Sequence, residues 1–402
     1  MLKLAEEVLD KVFEDVLQMR RHLHAHPEIS GEEFQTSAYI QKKLTEYGIK
    51  FEAGYAKTGV LGIIEGGRPG GTVAIRADID ALPILEKNND EYISKFPGKM
   101  HACGHDAHTA MLLGAGRVIN EIKEQLSGKV LLVFQPAEED GPIGGAKPMM
   151  DDGVFNNNPP DVIFAQHVWP NLSVGQVGIR EGVMMGNSDR FSITIKGAGG
   201  HASMPHQAID AIVAASQMVN ALQSIISRNV DPIDCVVLTV GKMGGGYRYN
   251  VIAEKVTLEG TIRTFKEKTK MMAKKRFFEI VENTAKAMGI EVEIEYLDGY
   301  PSTINTPKWA AHVRSTTRTL FGEESLPEIT PSLCGEDFSR FLEKYPGAFI
   351  WLGTQVENEE EQKPLHDPKF KINEKALPLG VKLLVHTVVN ALEELAEKKS
   401  AN

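Results

Sequence analysis

The stretch VLLVFQPAEE (residues 130–139) decides how the fold is read. Val130–Phe134 is a short, unbroken apolar run rich in branched side chains, the pattern of a strand buried on both faces. Two carboxylates, Glu138 and Glu139, follow it directly. Open α/β sheets place their active sites beyond the carboxyl ends of such strands. Working outward, the same kind of run recurs at Val60–Ile64, Val73–Ala77, Val162–Ala165 and Ala348–Leu352. Helical periodicity occupies about 5–23, 32–47, 107–126, 307–321, 336–345 and 373–397. Buried strands alternating with helices predict an α/β domain built on a mixed sheet.

The pattern changes near Gly186. RFSITIK (190–196) alternates polar and apolar residues, as a half-exposed strand does. A helix at about 207–228, strands near 235–243 and 255–264, a helix at about 267–288 and a strand near 290–296 follow. The order β-α-β-β-α-β is that of a ferredoxin-like α+β layer. Residues 187–298 therefore read as an inserted domain, and 1–186 with 299–402 as a discontinuous first domain. Gly186 and Gly299 are the expected hinges of a domain closure.

Composition narrows the function. The chain has 402 residues, with 42% apolar and 24% charged, the balance of an ordinary globular protein. A formal charge of -10 argues against nucleic acid as a partner. Three cysteines are too few for a disulfide framework, and the acidic, helix-patterned start has no secretory look, so a cytoplasmic location is expected. No segment reads as a membrane span. Glu357–Lys363 reads as a solvated loop, and Cys235 and Cys334 as small buried apolar residues.

The chemistry lies in short motifs. HACGHDAH (101–108) sets Cys103, His105 and His108 within six residues, and thiolate and imidazole suit zinc and its first-row neighbours. A lone Cys-x-His is more often a packed polar loop. A lone Glu-Glu pair is more often surface charge. Here, however, the Glu138-Glu139 pair, His167, His366 and the Asp78/Asp80 pair also sit at strand ends or in loops, which packing alone does not explain. Such a set suits a metal-bound water, with Glu138 as general base and Asp78 orienting a ligand imidazole. His22, His24 and His26 are spaced by two before Pro27 and read as a helix-to-loop transition, not as ligands.

At RRHLHAHPE (20–28), AIRADIDALPI (74–84), MHACGHDAHTAMLLG (100–114), FQPAEE (134–139), GGHASMPH (199–206), NVIAEKVTLEGTIRTF (250–265), GEDFSRF (335–341) and LHDPKF (365–370) the chain resembles the amidohydrolase branch of the two-metal aminoacylase and carboxypeptidase family. The resemblance spans nearly the whole chain. It implies a sheet-based catalytic domain with a ferredoxin-like lid or dimerisation domain, giving a homodimer or homotetramer. It implies metal ligands at Cys103, His105, Glu139, His167 and His366, general base Glu138, and a ligand-supporting carboxylate at Asp78. It implies two divalent ions per chain, zinc or manganese, with cobalt or nickel also workable. His201 is implied to stabilise the oxyanion; Asn250 and Arg263 are candidates for holding the substrate. The expected reaction is hydrolysis of N-acyl-L-amino acids. Rivals are deacetylation of N-acetyldiaminopimelate, dipeptidase or carboxypeptidase action, and a silent metal- or ligand-binding relative.

Overall fold

The structure is a computed structural model and describes residues 2–358, 360 and 362–401. Two residues of the Glu357–Lys363 run, Glu359 and Glu361, lie outside the described residues. The chain divides into two compact units, Met1–Met184 with Ile304–Thr330 and Asp337–Asn402, and Met185–Thr303 with Pro331–Glu336.

The first unit is built on a seven-stranded mixed sheet. Its order is Lys50–Tyr55, Gly59–Glu65, Ser127–Gln135, Arg68–Asp78, Val162–Trp169, Gly347–Gly353, Val177–Gly178. The four strands at its centre are parallel and the outer ones antiparallel. Ser127–Gln135, Val162–Trp169 and Gly347–Gly353 are buried almost throughout, which is why they read as continuous apolar runs. Lys50–Tyr55 is an exposed edge strand without that signature, and the sequence reading did not find it.

Helices Leu2–Ala25, His105–Glu121 and Ala376–Ala401 pack on one another and share one core with the sheet. The last of these corrects one expectation: Ala376–Glu397 is long and apolar enough to cross a membrane, yet 72% of its apolar window is buried inside the protein. Helix 107–126 in fact runs from His105 to Glu121, because Gly104 supplies the helix entry at φ +84 with no capping side chain to announce it. Helix 336–345 shrinks to Ser339–Leu342. The carboxylate of Asp337 is bound instead to the amides of Gly145 and Ala146 and to Arg76.

The second unit is an antiparallel four-stranded sheet ordered Val236–Gly245, Lys255–Thr264, Ser188–Lys196, Glu291–Tyr300. Helices Ala211–Ser224 and Glu267–Met288 share its core. Numbered along the chain, the strands run 2-3-1-4 across the sheet, the ferredoxin-like arrangement. The tract 331–336 joins this unit because the Gly186 amide donates to the Ser332 carbonyl at 2.8 Å, a pairing between distant residues that local sequence does not carry. Cys235 and Cys334 are exposed, not buried.

One ion network in the first unit locks the helix that begins at His105. Arg20 Nε lies 2.9 Å from Asp106 Oδ2. His24 engages the same oxygen through Nδ1 at 2.8 Å and Glu86 through Nε2 at 3.1 Å. This explains the buried His24 without a metal. Burial alone would raise the Asp106 carboxyl, but the charges of Arg20 and His24 hold it far below the usual range. Asp106→Asn leaves two buried cations underpaired and is expected to cost about 3–5 kcal/mol at neutral pH. Because the folded value is depressed, this stabilisation is fully present above the unfolded value of about 3.9 and is lost as pH falls below it. Urea unfolding of wild type and variant at pH 7 and pH 3 is expected to show the gap narrowing by about 1 kcal/mol.

Candidate metal centre

The carboxyl ends of three adjacent parallel strands bring the functional side chains together. Asp78 and Gln135 end neighbouring strands in register, and His167 lies near the end of the next. Asp80, Glu138 and Glu139 follow in the loops just beyond. Cys103 and His105 flank Gly104, where a side chain is excluded twice over. The backbone is left-handed, and an added Cβ would meet Val168 Cγ2 at 2.4 Å. That close approach sets Cys103 beside His167, with Sγ 3.5 Å from Nε2. His366 enters from a distant loop at φ +68, anchored by its amide to the Ala102 carbonyl at 2.8 Å.

Hydrogen bonds decide which nitrogen of each imidazole is left for a ligand. His167 uses Nδ1 on the Val168 carbonyl at 2.7 Å, turning Nε2 toward Cys103. His105 uses Nδ1 on Asp80 at 3.2 Å, and its Nε2 is buried without a hydrogen bond. His108 has both nitrogens engaged: Nδ1 donates to Asp78 at 2.6 Å, and Nε2 accepts from the Val168 amide at 2.8 Å. It stands among candidate ligands Asp78, His105 and His167 but has no lone pair to offer. Cys103, His105 and Glu139 each present a ligand atom within 4.8 Å of the others. Glu139 Oε1 is 3.1 Å from His366 Nε2 and 4.0 Å from His105 Nε2, and it is buried with no hydrogen-bond partner.

The electrostatics of these residues suit a cation site. Burial, then the charges of Glu139, Glu138 and Asp78, push the Cys103 thiol well above its usual range. Burial alone would lower His105, but Asp78, Asp80 and Glu139 raise it to about 10. Burial and the neighbouring His108 push His167 far down. Orphaned buried ligand atoms, a compressed thiol and clustered carboxylates fit a divalent ion, which would relieve all three at once.

Such a cluster at the ends of parallel strands, with a second carboxylate beside it, defines a metal-dependent hydrolase. Residues 74–390 match peptidase family M20/M25/M40, and the chain belongs to that family. It is 40% identical over 391 residues to the N-acetyl-L-cysteine deacetylase of Bacillus subtilis, covering 97% of this chain and 91% of that one. It is 39% identical over 390 residues to thermostable carboxypeptidase 2 of Saccharolobus solfataricus, covering 96% and 97%. Among solved structures, a dinuclear metal-binding peptidase of the M20 family from Bacillus subtilis matches with a TM-score of 0.82 at 34% identity, over 96% of this chain and 99% of that one.

The residues expected from sequence divide between the units. Cys103, His105, Glu138, Glu139, His167, His366 and Asp78 gather in the first. His201, Asn250 and Arg263 belong to the second. There His201 and Asn250 line one cavity of about 460 Å³, and the Asn250 Oδ1 is buried without a hydrogen bond. Arg263 is half-buried and donates through Nε to Thr261 at 3.1 Å.

Asp78 orients His108, while the carboxylate on the Nδ1 of His105 is Asp80, which the sequence reading named beside Asp78 without giving it a role. Asp80 stands two residues along in ADID (77–80), so the motif held the signal but not the choice between its two acids. Asp80→Asn is expected to weaken divalent metal binding about 10–100-fold. Cys103→Ser is expected to abolish the thiolate charge-transfer band of the cobalt-loaded protein. Metal titration and absorbance spectra check both.

Proposed function

We propose that this chain hydrolyses N-acyl-L-amino acids, cleaving the amide between an acyl group and an amino acid whose carboxylate is free. The observation that carries the reading is the pair Glu138-Glu139: Glu139 faces the histidines of the centre, and Glu138, 7% exposed, adjoins it. The proposed ligands are Cys103, His105, Glu139, His167 and His366, holding two divalent ions, zinc or manganese. When bound, the ions supply Lewis acidity to the scissile carbonyl and acidity to the attacking water. Glu138 takes the proton of that water on its carboxylate and returns it to the leaving amine nitrogen. Asp80 and Asp78 hold His105 and His108 in fixed tautomers. His201 donates to the developing oxyanion, Asn250 assists in holding the substrate, and Arg263 pairs with its carboxylate. The second unit serves as lid and as the surface of a homodimer or homotetramer, and the enzyme acts in the cytoplasm.

The two relatives support the substrate class from opposite sides. An N-acetylated amino acid and the carboxyl-terminal bond of a peptide share one unit, an acyl group on the nitrogen of an amino acid with a free carboxylate. Carboxypeptidase action is thus the second reading, favoured by the archaeal relative. A panel of N-acetyl amino acids and short peptides, assayed with added manganese or zinc, decides between them. Turnover of acetylated amino acids above that of peptides is expected. Glu138→Gln is expected to lower kcat by about 10²–10⁴-fold with metal content unchanged. Undiminished turnover in that variant would remove the mechanism. Arg263→Ala is expected to raise KM by roughly 10–100-fold, the worth of a charge-assisted hydrogen bond.

A further inference from the structure

The loop that carries Glu138 is held in an unfavourable backbone conformation. Ala137 has φ +54, a region that L residues with a side chain rarely occupy. The strain persists only because something outside the loop fixes it. Two buried carboxylates do so. Asp80 Oδ2 accepts the Glu139 amide at 3.0 Å. Glu33 Oε1 accepts the Ala137 amide at 2.9 Å. The amides on either side of Glu138 are therefore each bound by an acid from a distant part of the chain.

Glu33 is unusual in its own setting. It is 0% exposed and stands at the N-cap position of helix Phe34–Glu46, yet makes no side-chain bond to that helix. Glu28 takes the exposed amides there, accepting from Gln35 at 3.1 Å and Thr36 at 2.8 Å. Glu33 is thereby released to point inward. Its Oε1 also accepts the Gly31 amide at 2.9 Å, and its Oε2 accepts the Thr58 hydroxyl at 2.7 Å. Every contact of this carboxylate fixes its place, and the Ala137 amide is the one that leads to the site.

We propose that Glu33 is the positioning residue for Glu138: by binding the Ala137 amide it holds the loop in its left-handed turn and aims the Glu138 carboxylate. The proposal rests on Glu138 being the general base. A base works only within hydrogen-bond reach of its proton, and a misplacement of about 1 Å costs about 10²-fold in rate.

The test is a set of variants assayed on the N-acetyl amino acid that the wild type turns over best, with metal content measured in each. Glu33→Ala is expected to lower kcat about 30–100-fold, with KM within about twofold and bound metal unchanged. Glu33→Gln keeps an acceptor oxygen for the Ala137 amide and is expected to lose less than about fivefold. Adding Ala137→Gly to Glu33→Ala is expected to restore about tenfold, because glycine populates positive φ freely. A merely stabilising role for Glu33 would not be rescued by a glycine.

Should Glu33→Ala fail to fold, Ala137→Val is the parallel variant. It leaves Glu33 in place but resists positive φ, and the same kcat loss at constant metal content is expected. A crystal structure of the Glu33→Ala protein is expected to show Ala137 outside the left-handed region. Kcat within twofold of wild type in Glu33→Ala or Ala137→Val, or a kcat loss matched by metal loss and untouched by Ala137→Gly, overturns the proposal. Glu138→Gln separates the two claims. If it is inactive while Glu33→Ala is fully active, only the positioning role fails. If it is active, the base assignment fails, and the φ of Ala137 in the variant crystal still reports on the loop.

Discussion

The convergence of thiol, imidazole and carboxylate groups beyond the carboxyl ends of the parallel strands governs this molecule. Cys103, His105, Glu139, His167 and His366 bring thiol, imidazole and carboxylate atoms together, and of these His105 Nε2 and Glu139 Oε1 are buried without a hydrogen bond. In a low-dielectric interior a buried polar atom without a partner is unfavourable, which applies to His105 Nε2 and Glu139 Oε1. A divalent cation would offer those atoms the partner that hydrogen bonding does not supply.

A network of hydrogen bonds behind these side chains holds them in place. Asp80 fixes His105, and the Val168 carbonyl fixes His167. Asp78 and the Val168 amide consume both nitrogens of His108, making it a spacer between strand ends. Arg76 in turn donates to Asp78 at 2.7 Å and to Asp337 at 2.9 Å. Asp337 ties that network to the amides of Gly145 and Ala146. Ala137 and His366, both at positive φ beside this network, are held by the Glu33 carboxylate and the Ala102 carbonyl.

The lines of influence in the first unit run from helix to site. The salt bridges of Asp106 to Arg20 and His24 clamp the first turn of the helix whose first residue is His105. At the start of helix Phe34–Glu46, Glu28 binds the helix amides, while the Glu33 side chain reaches the Ala137 amide instead.

Sequence by itself determined the classes of element and the identity of the chemical groups. Apolar runs at Val73–Ala77, Val130–Phe134, Val162–Ala165 and Ala348–Leu352 announced the parallel strands, since a strand buried on both faces must be apolar throughout. Alternation at 190–196 and 255–264 announced the half-exposed strands of the second unit for the complementary reason. The motifs supplied Cys103, His105, Glu138, Glu139, His167 and His366. Tertiary structure alone decided which of two nearby acids meets Nδ1 of His105, that both nitrogens of His108 are hydrogen-bonded, that Glu33 reaches Ala137, and that 331–336 belongs with the second unit. Those choices depend on angles and distances of a few ångströms between residues tens to hundreds of positions apart. Local periodicity records which face of an element is buried, and carries no term for what that face will meet.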